Sequence, residues 1–135
     1  MCGPPAAGKS TWVRRNLQPG DQVIDFDDLC RDLGSRSHHD HPKHVRALAS
    51  SIRRSLEDQA KSRPGRTFVI RSLPDPGDRA EAAERLGARV VMFATPAEQA
   101  IGQANADGRP DWTEQAIRSW WDRYQPLPTD ETPET

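Results

Sequence analysis

Apolar and polar positions fall into two kinds of block along this chain. Short runs rich in β-branched and aromatic residues, Gln22-Val23-Ile24-Asp25-Phe26, Thr67-Phe68-Val69-Ile70 and Arg89-Val90-Val91-Met92-Phe93, predict buried strands. Between them, apolar residues recur at three- and four-residue spacing. Val45, Leu48, Ile52 and Leu56 predict a long amphipathic helix from Pro42 to about Lys61, with Arg46, Arg53, Arg54 and Glu57 on its outer faces. Shorter helices are predicted over 10–16, 28–33, 75–86 and 96–106, the second and third closed by Gly34 and Gly87. After the Asp107-Gly108-Arg109-Pro110 break, Asp111-Trp112-Thr113-Glu114 reads as a capping box that opens a last helix to Tyr124. Trp112, Ile117, Trp120, Trp121 and Tyr124 are expected to dock that helix on the sheet. Residues 126–135 are rich in Pro, Thr and acid, which predicts a disordered tail beyond a single domain at 1–125.

Alternating strands and helices give an α/β fold with a largely parallel sheet, because right-handed crossovers place helices on its faces. Ligands bind such sheets at the carboxyl ends of the strands. The chemistry expected there begins with Gly3-Pro4-Pro5-Ala6-Ala7-Gly8-Lys9-Ser10, which fits the G-x-x-x-x-G-K-[ST] phosphate-binding loop at every fixed position. Its glycines let backbone N–H groups surround phosphate, Lys9 reaches the β- and γ-phosphates, and the Ser10 hydroxyl ligates Mg²⁺. Gly3 through Thr11 are therefore the expected ATP-binding residues. The fold expected is a P-loop NTPase three-layer sandwich. Only Met1 and Cys2 precede Gly3, so its first strand is expected to be truncated or missing.

Composition narrows the picture. With 34% hydrophobic and 29% charged residues and twelve prolines, the chain reads as polar and soluble. It has neither a transmembrane-length apolar run nor a basic-then-apolar leader after Met1, which predicts a cytoplasmic protein without a membrane partner. Cys2 and Cys30 match no metal or disulfide pattern and read as reduced thiols. Arg greatly outnumbers Lys, weak support for a phosphorylated partner, since guanidinium grips phosphate bidentately.

Phosphoryl transfer needs charge neutralisation, Mg²⁺, an in-line acceptor and often a carboxylate for the acceptor's proton. Asp25 or Asp27, at the end of the second strand, is the candidate carboxylate, and strand alternation would point both to one side. Ser10 and Asp25 are the candidate Mg²⁺ ligands. Arg31 is placed to hold an acceptor phosphate, Arg109 sits in a lid-like helix break, and Arg71 has a similar standing. Strand 67–70 runs into Arg71-Ser72 without a carboxylate, which argues against a motor-type ATPase. His38, His39, His41 and His44 crowd one window beside Asp40, but their spacing matches no zinc pattern, so a polar loop is favoured over a metal site.

These residues resemble the small P-loop kinases of the polynucleotide 5′-hydroxyl kinase type, including related bacteriophage proteins. The likeness lies in Gly3 to Trp12 and in Val23-Ile24-Asp25-Phe26-Asp27-Asp28, and its order and spacing run to about Tyr124. It implies that Asp27 is the general base toward a hydroxyl, that Arg31 binds the acceptor phosphate and that Arg109 stabilises the transition state. Gln103 and Asp107 stand where that family's lid carries arginines, and Ser72 replaces an acid. Asp25-Phe26-Asp27 followed by a His-Pro element also resembles zeta-toxin-type kinases, which phosphorylate a sugar nucleotide. The expected function is ATP/Mg²⁺-dependent transfer to a hydroxyl of a nucleic acid end, nucleotide or similar small acceptor. The alternatives are a non-catalytic nucleotide-binding module and a nucleic-acid-stimulated ATPase.

Overall fold

The computed structural model describes residues 1–134. Six helices and two strands follow one another as α1 (Lys9–Asn16), β1 (Gln22–Ile24), α2 (Phe26–Asp32), α3 (Lys43–Ala60), β2 (Thr67–Val69), α4 (Pro76–Leu86), α5 (Ala97–Ala106) and α6 (Thr113–Arg123). β1 and β2 pair in parallel with Val23 opposite Phe68. None of the helices is long and apolar enough to cross a membrane among the described residues.

The sheet is an α/β parallel arrangement extended by short lengths of backbone. Met1 N donates to Val69 O at 2.9 Å and Arg71 N donates to Met1 O at 2.9 Å, which seats the start of the chain beside β2. On its other side Cys2 N donates to Val91 O at 2.9 Å and Phe93 N to Cys2 O at 2.8 Å. A further parallel bridge joins Val91 to Glu131. The expected strand over 89–93 is thus reduced to isolated bridges, because the segments at 2 and 131 each offer it only one bridging residue. The expected first strand survives as a stub whose backbone groups are paired on both sides.

Three other expectations are corrected by the fold. Phe26 opens α2 instead of ending a strand, so alternation does not govern Asp25 and Asp27; Asp25 caps the helix by accepting from Asp27 N. On α3 the buried stripe is Val45 and Ala49, and Leu48 is 52% exposed, one helical step off the expected line. Glu57 lies inside instead of on the outer face, held by Arg71 at 3.2 Å and Arg85 at 2.6 Å. That double pairing is what makes its burial tolerable.

The C-terminal aromatics behave as expected except at one end. Trp120 is buried and donates its indole N–H to Ser72 O at 2.7 Å, and it stacks on Tyr124 at 4.7 Å. Trp112 is 51% exposed, and α6 starts without a side-chain cap, so the Asp111 capping box does not form. The tail does not behave as composition implies. Arg79 of α4 is fully buried and binds Asp130 at 2.8 Å, Pro74 O at 2.7 Å and Gln125 O at 2.6 Å. A buried guanidinium needs a carboxylate and carbonyls to replace its water; Asp130 supplies the first, and Leu73, Pro74 and Gln125 the second. Thr135, the last residue of the expected tail, lies outside the described residues.

Candidate functional site

The phosphate loop turns on three residues with positive φ, Gly3 at 155°, Ala6 at 60° and Gly8 at 97°. Gly8 is the N-cap of α1, where any larger residue would be strained. Gly3 is needed for a second reason as well: a Cβ there would sit 2.6 Å from Phe93 O. Thr95, not singled out in the sequence, ties the loop down by donating from Oγ1 to Ala7 O at 2.9 Å. A side-chain-to-carbonyl bond across 88 residues leaves no local trace in the chain.

One cavity of about 1260 Å³ gathers most of the expected site. Pro5 through Thr11 line it, together with Asp25, Asp27, Arg31, Arg71 and Arg109. Gly3 and Pro4 do not; they lie behind the loop, where Gly3 O accepts from Lys9 Nζ at 2.6 Å. Lys9 Nζ also donates to Arg71 O at 3.1 Å. With no carboxylate bonded to it, the buried ammonium is pushed down to about 8, chiefly by desolvation and further by Arg109, against the pull of Cys2, Asp25 and Asp27. This is a cation held in place by two carbonyl oxygens, with no direct ion pair among the described residues.

Ser10 Oγ donates to Asp25 Oδ2 at 3.3 Å. Burial, then the neighbouring charges of Asp28 and Asp27, hold the Asp25 carboxyl above its ordinary value. Two hard oxygen donors beside an excess of negative charge suit a small divalent cation that keeps most of its other ligands as phosphate and water. Among the described residues, no three His, Cys, Asp or Glu side chains converge as a metal-ligating group.

Arg31 and Arg109 differ in how free they are. Arg31 pairs with Asp28 and donates to His38 O at 3.3 Å, so its charge is already partly spent. Arg109 follows Gly108, whose φ of 66° ends α5, and its Nε is buried with no hydrogen-bond partner among the described residues. Arg71 is countered by Glu57. Arg53, assigned to the outer surface by its helical position, instead lines the cavity and lies over the Phe26 ring at 5.1 Å.

The histidine window closes on Asp27. His39 Nδ1 lies 3.0 Å from Asp27 Oδ2, and His41 Nε2 lies 2.7 Å from Asp27 Oδ1. His41 is 8% exposed and its Nδ1 is 2.7 Å from Ser35 Oγ, while His39 lines the cavity. The crowding of histidines was visible in the sequence; their convergence on a carboxylate 12 and 14 residues away was not.

A family model described as AAA domain matches residues 1–127. No curated protein matches the chain. With that match spanning all but eight of its 135 residues (135 − 127), the chain belongs to the AAA domain family, P-loop nucleotide-binding proteins that include kinases.

Proposed function

We propose that this protein is an ATP-dependent kinase that moves the γ-phosphoryl group to a hydroxyl of a nucleic acid end, a nucleotide or a similar small acceptor. The observation that carries the reading is the composition of the cavity at the phosphate loop. It holds the phosphate loop and Lys9 on one side, Asp25 and Asp27 at the start of α2, and an Arg109 whose Nε has no partner among the described residues. A phosphate group would give Lys9 and Arg109 a directly bonded counter-charge, and guanidinium there stabilises charge on the transferred group. Arg31 faces the same space and would hold an acceptor phosphate after exchanging its pairing with Asp28. Mg²⁺ would be held by Ser10, with Asp25 beside it, and would supply charge neutralisation on the phosphate oxygens. The acceptor's proton would leave on the Asp27 side.

A second reading, a nucleotide-binding module without transfer, is favoured by one observation: both oxygens of Asp27 already carry imidazole hydrogen bonds. The two readings differ in their products. A kinase forms ADP in step with phosphorylated acceptor and little ADP without it. ATP binding with no ADP formed on any acceptor supports the module, and release of inorganic phosphate stimulated by nucleic acid supports an ATPase.

A further inference from the structure

We infer that His39 is the catalytic base that takes the acceptor's hydroxyl proton, with Asp27 as the carboxylate that orients it. This rests on the kinase reading above. A carboxylate can only accept, so both imidazole nitrogens that face Asp27 carry hydrogen. His41 is then used up on both sides: Nε2–H donates to Asp27 Oδ1 and Nδ1 faces the Ser35 hydroxyl, in a nearly closed environment. His39 is used on one side only. Its Nδ1–H donates to Asp27 Oδ2, while Nε2 has no hydrogen bond among the described residues, and the ring keeps 23% of its side-chain surface at the wall of the cavity.

A neutral imidazole with its Nδ1–H on a carboxylate presents the Nε2 lone pair in a fixed direction, the arrangement by which a histidine activates a hydroxyl. Asp27, by contrast, has an imidazole nitrogen hydrogen-bonded to each of its oxygens, so both face the histidine window. In the transfer step the acceptor oxygen forms a bond to the γ-phosphorus and its proton moves to His39 Nε2. The bond from the γ-phosphorus to the β,γ-bridging oxygen breaks, and ADP leaves with that electron pair. The resulting imidazolium faces the Asp27 carboxylate, and the proton returns to solvent when product departs.

The test compares ATP affinity with γ-phosphoryl transfer in wild type, His39→Ala, His39→Asn and Asp27→Asn. Both His39 variants should bind ATP within about twofold of wild type and lose transfer by about 100-fold or more. His39→Asn keeps a donor near the Nδ1 position but has no base, so its inactivity separates proton transfer from the mere holding of Asp27. Added imidazole should restore transfer to His39→Ala, and acetate should not. Transfer retained by His39→Asn, or a His39→Ala protein that imidazole fails to rescue, overturns the inference and leaves the kinase reading standing. Wild-type protein that labels no acceptor overturns the kinase reading, and this inference with it.

Discussion

Lys9 shows how much a single side chain can say about its ligand. In a helix exposed to water it would titrate far above neutrality; under the loop it is pushed down to about 8. Phosphate binding requires the ammonium, so ATP affinity should fall as pH rises above about 8, approaching about tenfold per pH unit. The sign for stability is opposite. The unfolded chain keeps the proton from about 8 to 10.5 while the folded chain has released it, so folding stability should gain with pH across that window. Isothermal titration with ATP from pH 7 to 9 measures the first effect; flat affinity would show that Lys9 does not carry the binding. Lys9→Ala should weaken ATP by at least about tenfold, the value of one lost charge-assisted hydrogen bond. The loop was readable in the chain because the motif fixes residue types at set positions. The Asp27 environment was not, because His39 and His41 reach it only after the 33–42 segment folds back over α2, and no periodicity encodes that return.

Among the elements, helices were legible and their edges were not. α4 begins at the expected place because Asp75 caps Gly77 N and Asp78 N, with Pro76 in the first turn and Gly87 closing the end. α3 kept its length but turned its apolar stripe, since packing α2 against it required the small Ala49, fully buried beside Cys30. Leu48 was displaced to the surface by that choice. The least legible element was the C-terminal segment. Its composition predicts disorder, yet it carries Asp130, the partner of a guanidinium with no solvent exposure. Asp130→Asn should therefore destabilise the fold by about 3–5 kcal/mol, the usual cost of breaking a buried ion pair from one side. Urea unfolding measures it, and a change under about 1 kcal/mol would show that Arg79 finds other partners. ATP affinity of the folded fraction should be unchanged, because Asp130 and Arg79 do not line the loop cavity.

The molecule as a whole is organised around the backbone at Met1–Gly3. That short segment links β2 to the 91–93 segment, then turns directly into the phosphate loop, so the sheet and the site are one construction. One core cluster includes Ala6 of the loop together with Ala100, Ile101 and Ile117 of α5 and α6. A ligand that fixes the loop should therefore stabilise the fold cooperatively. ATP with Mg²⁺ at about 100 times its Kd adds about 2.7 kcal/mol, roughly a 10 °C rise in Tm for a domain of this size. Lys9→Ala should show little or none of that rise at the same concentration. The most direct test of the account is transfer from γ-labelled ATP with Mg²⁺ to 5′-hydroxyl DNA and RNA, nucleosides, nucleotides and sugar nucleotides, with Lys9→Ala as control. The account predicts label on one acceptor class, lost in the control. ATP bound with Lys9-dependent affinity but no acceptor labelled would contradict it.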